Sequence, residues 1–216
     1  MSLDGFDSHD CTKSKIIIME RTEYEKRVQD RSYIRYLIGL FVRWKEWITY
    51  NRAAKIARKR GAIIGENVVM PIEWAKRVNS NVKIGNNVSI QTSPIDTRSP
   101  IEIGNNVIIG SGTQIITTSH NIDSEEWEHK YYGLVIKDYV WIPTKCLILP
   151  SCREIGYGAV IGSGSVVVKN VDDMAVVSGN PAKEFKKRKC VHSKLVVESL
   201  LGGDYKTYKA VRKNKR

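Results

Sequence analysis

The sequence predicts an all-β protein, a parallel β-helix with triangular coils, and three observations support that fold. An aliphatic residue recurs every six positions over about half of the chain. Six residues are about 1.7 turns of an α-helix, so this period cannot place the aliphatic residues on one helical face. Gly, Asn and Asp interrupt the units, which excludes one long alternating strand.

The repeated unit begins at Ile64 and has one template: an aliphatic residue, often Gly, two variable positions, a small or β-branched residue, and one more variable position. The units begin at Ile64, Ile84, Ile103, Ile109, Ile115, Ile136, Ile142, Ile148, Ile155, Ile161 and Val167. Short strands joined by tight turns fit this template when each aliphatic residue stacks on the one three units later. Gly and Asn suit the turns because they adopt positive φ more readily than bulkier residues do.

The first 60 residues lack the repeat and show helical spacing instead. Apolar residues recur at intervals of three or four, at Ile34, Leu37, Phe41, Trp44 and Ile48. We therefore expect an N-terminal tail and a basic amphipathic helical region over 1–60. One interpretation packs this helix on the coil or on a second subunit. The alternative is an interfacial helix on an anionic membrane, which would suit a lipid-linked glycan acceptor.

The repeat has one long break, which predicts a loop at 121–135. This loop is expected to project from a coil domain that spans 61–183. The break is polar and aromatic, and its sequence does not follow the six-residue period. Loops on rigid scaffolds often carry binding and catalytic residues. Residues 184–216 are expected to form a basic tail with a short helical part.

The positive charge is concentrated at the two flanks. The chain has 35 basic and 23 acidic residues, a formal net charge of +12, whereas residues 61–180 have 9 basic and 12 acidic ones. A nucleic-acid-binding protein usually carries its positive field on the folded face that grips phosphates, so we expect no nucleic-acid partner. Solvated flanks are one interpretation, and a phosphate-bearing ligand or an anionic membrane surface near them is the other.

Cysteine usage and hydropathy indicate the compartment. The four cysteines, Cys11, Cys146, Cys152 and Cys190, form no CxxC pair, so neither a disulfide framework nor a cysteine zinc site is expected. Two of them, Cys146 and Cys152, occupy the small position of their units and are expected in the core. With neither a signal peptide nor a membrane-spanning run, we expect a cytoplasmic protein, with the inner face of the membrane as an alternative position.

These repeats, with VWI at 140–142, SHNID at 119–123 and SGNPAK at 178–183, resemble the hexapeptide-repeat acyltransferases. The resemblance covers roughly residues 61–190, and the branch it matches best comprises the maltose and galactoside O-acetyltransferases and the capsule and exopolysaccharide acetyltransferases. It implies a left-handed β-helix, acetyl-coenzyme A as co-substrate, and a homotrimer with sites between subunits. We expect no metal, because only His120 and His129 lie within the coils, while His9 and His192 lie in the flanks.

The resemblance assigns the catalytic roles. His120, at the root of the loop, matches the general base, although an isolated histidine is more often an ordinary turn residue. Glu128 matches the loop glutamate, so we expect a carboxylate to orient the imidazole. The oxyanion donor matches the backbone N–H of Thr144. Pro143 replaces the usual Gly after Trp-Ile and has no N–H to donate.

The resemblance also assigns binding residues. Those expected to contact coenzyme A are Trp141, Thr144, Ser163, Lys169, Lys183, Lys187 and Arg188, although a capping Trp and a solvated basic tail are the plainer interpretations. The acceptor-binding Asn of the family has no match in this chain. Its expected stand-ins are Gln91, Thr92, Asp96, Arg98 and Asp123.

Together these assignments predict an acetyl-coenzyme A-dependent O-acetyltransferase acting on a sugar hydroxyl, in surface-polysaccharide biosynthesis. One alternative keeps the mechanism and acylates the nitrogen of an amino-sugar nucleotide, or an antibiotic. The other alternative is a trimeric scaffold without activity, which the Pro143 substitution and the unmatched Asn motivate.

Overall fold

The computed structural model describes residues 23–191 and 204–213, so the expectations for His9, Cys11 and His192 lie outside the described residues. The helices are α1 (Glu23–Gln29), α2 (Tyr33–Lys59), α3 (Ile72–Ala75) and α4 (Tyr205–Lys213). The strands are β1 (Ile63–Ile64), β2 (Val82–Ile84), β3 (Ser89–Ile90), β4 (Ile101–Ile103), β5 (Ile108–Ile109), β6 (Gln114–Ile115), β7 (Thr118–His120), β8 (His129–Tyr131), β9 (Leu134–Ile136), β10 (Trp141–Ile142), β11 (Leu147–Ile148), β12 (Glu154–Ile155), β13 (Val160–Ile161), β14 (Val166–Val167), β15 (Ala175–Gly179) and β16 (Ala182–Lys187).

The short strands form three parallel sheets, as the six-residue repeat predicts. The first sheet has the order β1-β2-β4-β9-β12, the second β3-β5-β10-β13-β15 with β16 added antiparallel at its end, and the third β6-β11-β14. In each of the triplets β4–β6, β9–β11 and β12–β14, the three strands enter the first, second and third sheets in turn. Each strand therefore pairs with the strands one coil earlier and one coil later.

The repeat places one aliphatic side chain of each strand inside the coil. All the residues that open the predicted units, from Ile64 to Val167, are buried in a single core. On β4, Ile103 points inward and is buried, whereas its neighbour Glu102 points outward. Full burial of an Ile side chain contributes about 1.5–3 kcal/mol, so the stacked residues supply the stability that the short strands lack.

The corners between sheets require left-handed backbone. Between the first and second sheets, positive φ values recur once per coil, at Asn67, Asn87, Asn106, Tyr139, Gly158 and Met174. Asn tolerates this region better than most residues, and here the amides also form a ladder, with the Asn67 Nδ2 donating to Asn87 Oδ1 over 3.1 Å. The corner between the second and third sheets uses Gly112, Lys145 and Gly164 in the same way.

The break in the repeat is an antiparallel hairpin of β7 and β8, in which His120 pairs with His129. The loop expected at 121–135 ends two residues earlier in the structure, at residue 133. Leu134 and Val135 already belong to β9 of the first sheet, because the buried Leu134 returns the chain to the core. The hairpin therefore leaves the coil after the third sheet and rejoins it at the first.

The helical region expected over 1–60 contains α2, which has two different partners. Its C-terminal half buries Ala53, Ala54 and Ala57 in the core of the coil. Its N-terminal half packs on α4 through stacked rings of Tyr36 and Tyr208, whose centroids are 5.1 Å apart. None of the described helices combines the length and apolarity that crossing a bilayer requires.

The C-terminal flank differs from the basic tail expected over 184–216. The expected boundary at 183 falls inside β16, which pairs with β15 and so extends the second sheet. Helix α4 packs on α1 and α2, and the Arg43 Nε donates to the Asp204 carboxylate over 2.6 Å. The C-terminal flank therefore contributes β16 at one end of the coil and α4, which packs on α2, at the other end.

Candidate active site

His120 ends β7 and lies exposed where this strand meets the turn of the hairpin. Its Nδ1 is within hydrogen-bonding distance of the backbone carbonyl oxygen of Trp127. A carbonyl oxygen only accepts, so Nδ1 must carry the proton, and a neutral imidazole then leaves Nε2 as the proton acceptor. The structure thus fixes the tautomer that a general base needs.

Trp127 presents that carbonyl through an uncommon backbone conformation. Its φ is +50°, in the left-handed region that bulky residues rarely adopt. Strained backbone persists where surrounding contacts enforce it and is concentrated at functional sites. Sequence reasoning missed this residue, because a backbone carbonyl carries no signature in the side chains.

Glu128 does not orient the imidazole, contrary to the expectation. Its carboxylate accepts hydrogen bonds from Ser124 Oγ and from Asn121 Nδ2, the latter over 2.9 Å. These bonds lower the pKa of Glu128. They close the tip of the hairpin, so the contacts of Glu128 lie within the turn, and the His120 ring contacts the Trp127 carbonyl instead.

His129 also lies beside the candidate base. Its ring centroid is 4.3 Å from that of His120 across the hairpin, and Tyr131 follows on the same face at 6.0 Å from His129. The alternation of β8 places these two rings together. The sequence alone does not reveal this pairing, because the eight residues between the two histidines give no sign of the hairpin register.

Asp96 and Arg98, two expected acceptor-binding residues, brace the hairpin root. The Asp96 carboxylate accepts hydrogen bonds from the Arg98 side chain at 2.9 Å and from Thr118 Oγ1 at 2.8 Å. Burial opposes ionisation of Asp96, but the bonds from Arg98 and Thr118 outweigh it and hold its pKa well below the usual range. The two charges neutralise each other and fix the first residue of β7.

The other three expected acceptor residues are distributed differently. Thr92 is buried and donates through Oγ1 to the Thr113 carbonyl over 2.7 Å, so it is a structural contact and is withdrawn from the acceptor site. Gln91 is exposed at the end of β3, and Asp123 is exposed at the hairpin tip. Asp123 thus shares the hairpin with His120.

The Trp141–Thr144 segment lies at the second sheet and its corner with the third. Trp141, on β10, is half exposed. In the described part of the chain, no hydrogen bond uses the Thr144 N–H. Gly110 permits this corner, since a Cβ there would lie 2.8 Å from the Thr144 nitrogen. Pro143 is accommodated, with its carbonyl accepting from Thr113 Oγ1 over 2.7 Å.

Ser163 occupies the same corner one coil later. The Gly164 N–H donates to the Thr144 carbonyl over 3.1 Å, which stacks the two turns. Ser163 and Thr144 are both exposed, on turns that lie next to each other. Lys169 follows β14 and belongs to the next corner, so the structure separates it from this pair.

The three basic residues expected at phosphates have different partners. The Arg188 Nη1 donates to the carbonyls of Tyr139 and Gly158, each over 3.3 Å, and so braces a corner. The Lys187 Nζ lies 3.2 Å from the Glu184 carboxylate. Lys183 is exposed and has no acidic partner among residues 23–191 and 204–213. Lys187 and Arg188 therefore contact other parts of the chain, and a contact between Lys183 and a phosphate stays a prediction.

Cys146 and Cys152 are buried in the core of the coil, which confirms the packing interpretation. Burial raises the pKa of Cys146, and it raises the pKa of Cys152 to about 11. Both thiols are therefore protonated and inert at neutral pH.

The chain was compared with known proteins, and no family model matches it. It is 30% identical over 144 residues to a Saccharomyces cerevisiae protein named "Putative acetyltransferase YJL218W", a match that covers 63% of this chain and 71% of that protein. It is 28% identical to the galactoside O-acetyltransferase of Lactococcus lactis, covering 71% and 70%. It is also 28% identical to the "Putative colanic acid biosynthesis acetyltransferase WcaF" of Escherichia coli, covering 67% and 80%.

Other relatives match over shorter stretches. The chain spans 43% of the length of a Schizosaccharomyces pombe relative, named "Putative acetyltransferase C18B11.09c", and 25% of a Klebsiella aerogenes chloramphenicol acetyltransferase. The latter match is 52% identical over 54 residues.

Among solved structures, the hexapeptide-repeat acetyltransferase VCA0836 of Vibrio cholerae has a similar fold. The TM-score is 0.58 at 25% identity, and the match covers 77% of this chain and 99% of that one. The same Vibrio protein is also solved in complex with acetyl-coenzyme A, with a TM-score of 0.51.

Proposed function

The chain belongs to the hexapeptide-repeat acetyltransferases, and from that premise we propose that it transfers an acetyl group from acetyl-coenzyme A to a sugar hydroxyl. The proposal includes a left-handed winding of the coil and a role in surface-polysaccharide biosynthesis. Similarity to the galactoside and colanic acid acetyltransferases over about two thirds of the chain supports the sugar acceptor.

The observation that carries this proposal is the environment of His120. Its Nδ1 is engaged by the Trp127 carbonyl, so in the neutral ring of this exposed side chain Nε2 is the nitrogen that can accept a proton. Neutral imidazole is suited to removing the proton from a hydroxyl group near pH 7. An ordinary turn histidine would not need this fixed tautomer.

The proposed reaction uses two groups of the chain. Bound acetyl-coenzyme A supplies the acetyl group as a reactive thioester. The His120 Nε2 accepts the proton of the acceptor hydroxyl as its oxygen attacks, and later returns it to the departing thiolate. The Thr144 N–H donates to the oxygen on which negative charge develops, a contact worth about 10²–10³ in turnover elsewhere.

The binding residues of this corner fit coenzyme A. Thr144 and Ser163 line one edge on adjacent coils, and the half-exposed Trp141 offers an apolar surface. Lys183, on the strand that extends the second sheet, supplies an unpaired cation for a phosphate.

We further propose a homotrimer with its sites between subunits. Within one chain, Thr144 lies at the corner between the second and third sheets, whereas His120 follows the third sheet. Two chains placed side by side would bring one corner of each together and supply both walls of a cleft.

The match to a chloramphenicol acetyltransferase supports a second candidate, an antibiotic acceptor, but it covers only a quarter of the chain. An assay with acetyl-coenzyme A that follows thiol release over a panel of simple sugars, amino-sugar nucleotides and chloramphenicol distinguishes these acceptors. We expect turnover with hydroxyl-bearing sugars. Turnover confined to amino-sugar nucleotides or to chloramphenicol would contradict the sugar O-acetylation proposal.

Calorimetry with coenzyme A tests the inactive-scaffold alternative separately. We expect saturable binding that weakens when Lys183 is changed to Glu, because that change reverses the charge facing a phosphate. Absence of binding would overturn the proposed function as a whole.

A further inference from the structure

Helix α2 exposes a continuous apolar stripe on its outward face. Ile34, Leu37, Phe41, Trp44 and Ile48 recur at intervals of three and four, which places them along one side of the helix. All are exposed, with Ile34 71% and Phe41 55% accessible. A stripe of this size on a soluble domain usually marks a binding surface.

The chain's own packing uses the opposite side of the helix. Tyr36 stacks on Tyr208, and Ala53, Ala54 and Ala57 enter the core of the coil. None of these positions lies on the exposed stripe. The described fold is therefore complete without covering the apolar face.

The same helix is strongly basic. It carries seven Lys and Arg residues and one acidic residue, Glu46. Arg43 is paired with Asp204, and Arg58 donates to the carbonyls of Ile64 and Gly65. The other five are exposed and have no carboxylate partner among the described residues: Arg35, Lys45, Arg52, Lys55 and Lys59.

The apolar stripe and three of the unpaired basic residues lie on the same side of α2, one after the other along the helix. From Ile34 to Ile48 the outward positions are apolar and aromatic, and one to three turns later the same side presents Arg52, Lys55 and Lys59. The Lys45 Nζ lies 4.6 Å from the centroid of the Phe41 ring, at the edge of the stripe. Aromatic and aliphatic side chains that lie next to exposed Lys and Arg side chains are typical of surfaces that bind anionic bilayers.

We propose that the outward face of α2 docks this protein on an anionic lipid bilayer. Ile34, Phe41 and their stripe neighbours enter the boundary between head groups and acyl chains. Arg52, Lys55 and Lys59 contact the lipid phosphates beyond them. The charge of the helix complements that surface, where each nearby Lys or Arg contributes about 1 kcal/mol, which is about a fivefold change in binding.

Two copies that paired stripe to stripe in parallel would bring Arg52, Lys55 and Lys59 of each chain together, and these like charges would repel one another. An anionic bilayer satisfies the apolar and the basic parts of the face at once.

The proposed docking surface lies at the end of the coil where α2 contacts β1. The strand β16, with the exposed Phe185, lies at the other end of the second sheet. A docked coil would present its sites to a lipid-linked acceptor, a consequence that rests on the proposed function. Docking itself does not depend on acetyl transfer.

The test is co-sedimentation of the full chain with vesicles of phosphatidylglycerol and phosphatidylcholine mixed in equal parts, against vesicles of phosphatidylcholine alone. We expect the protein to sediment with the anionic vesicles and to remain in the supernatant with the neutral ones. Inorganic phosphate at the same charge concentration should compete only weakly, because it offers no apolar phase. Equal binding to both vesicles, or to neither, would overturn the proposal.

Matched variants locate the surface. Phe41→Ser should weaken binding about tenfold, since it removes a large apolar side chain from the interface. Phe185→Ser changes the same residue type, equally exposed, at the far end of the coil and should leave binding intact. Lys55→Glu should weaken binding about tenfold or more, whereas Lys76→Glu, on the neighbouring α3 corner, should change it much less.

Two outcomes would identify another occupant. If Phe41→Ser dissociates the oligomer in lipid-free buffer, as measured by light scattering, the stripe is a subunit contact and the proposal fails. If a chain lacking residues 1–22 binds vesicles much more tightly than the full chain, the stripe is covered by that segment, and docking by the full protein is overturned.

Discussion

The coil and the hairpin of residues 118–132 are built on opposite principles. In the coil, each strand buries one aliphatic side chain in a common core and pairs with strands of the adjacent coils. In the hairpin, β8 is exposed throughout, and His120 and Ser119 on β7 are exposed as well. The contacts that order the hairpin are polar, such as those of Glu128 with Asn121 and of Asp96 with Thr118.

This difference separates stability from chemistry. The coil repeats one interaction many times, so each inward residue adds stability and none has a unique role. The hairpin has few contacts, and one of them, from the Trp127 carbonyl, holds the His120 ring. Changes at the inward residues of the coil should therefore reduce stability with little effect on the turnover of folded protein, and changes at His120 in the hairpin should do the reverse.

The largest expected effect lies in the hairpin. His120→Ala should reduce turnover about 10²–10⁴-fold, the usual contribution of a general base, with acetyl-coenzyme A affinity nearly unchanged. Glu128→Gln is the matched control, because its side chain contacts Asn121 and Ser124 and not the imidazole. Steady-state kinetics with a confirmed acceptor measures both. Wild-type turnover in His120→Ala, or a loss in Glu128→Gln as large as that in His120→Ala, would contradict the assignment.

The next largest effect lies in the coil. Ile103→Ala should lower the free energy of unfolding by about 2–5 kcal/mol, because it leaves a cavity between stacked coils. Glu102→Ala, on the same strand but facing outward, removes an exposed ion pair with Lys83 and should cost less than about 1 kcal/mol. Denaturant unfolding at fixed protein concentration compares the two. Equal losses would show that the core is not organised as described.

Asp96 connects the coil to the hairpin, and its contribution to the stability of the fold should depend on pH. Its pKa in the folded protein lies below the value of about 3.9 expected when unfolded, so the carboxylate stabilises the fold above that value. That contribution is lost as pH falls through the folded pKa. Asp96→Asn should therefore lower the melting temperature at pH 7, and the difference from wild type should shrink below about pH 4.

The control for this prediction is Asp123→Asn, which alters an exposed carboxylate at the hairpin tip. Its melting temperature should follow that of the wild type from pH 2 to 7. A destabilisation by Asp96→Asn that stays constant over this range would show that ionisation of Asp96 does not matter.

The smallest expected effect is a gain at a coil corner. Lys145 has φ +58°, where most L-residues are strained, while Gly112 and Gly164 occupy the equivalent corner in adjacent coils. Lys145→Asn should raise the free energy of unfolding by up to about 1 kcal/mol, because Asn tolerates this region. Lys76→Asn makes the same chemical change at φ −75° and should give no gain in denaturant unfolding. A similar gain in both would remove the conformational explanation.

The coil was predictable because burial acts on the same side chain in every unit. Ile136 and Ile142 open units six residues apart, and both are buried where the repeat placed them. His120 was selected for a different reason, because it ends the last unit before the repeat breaks and matches the general base of the family that the sequence resembles. Thr144 was selected from that resemblance alone.

The contacts that orient the site were not predictable. The Trp127 carbonyl is a backbone group, and which carbonyl faces His120 depends on a hairpin turn that the sequence does not mark. Arg188 was expected at a phosphate but binds the carbonyl of Tyr139, 49 residues earlier in the chain. The hydrogen-bond partners of these side chains depend on three-dimensional packing, whereas the sequence reveals only that Arg188 is positively charged.

The central claim, that His120 of one chain works with Thr144 of its neighbour, is tested most directly by mixing subunits. His120→Ala and Thr144→Pro chains, the latter lacking the donor N–H, are denatured together, refolded as mixed trimers and assayed against each variant alone. In an equal mixture about a quarter of the sites would combine an intact His120 with an intact Thr144 of the adjacent chain. The account predicts that activity returns to about a quarter of the wild-type level. Mixed trimers that assemble, as judged by light scattering, yet recover no activity would contradict it.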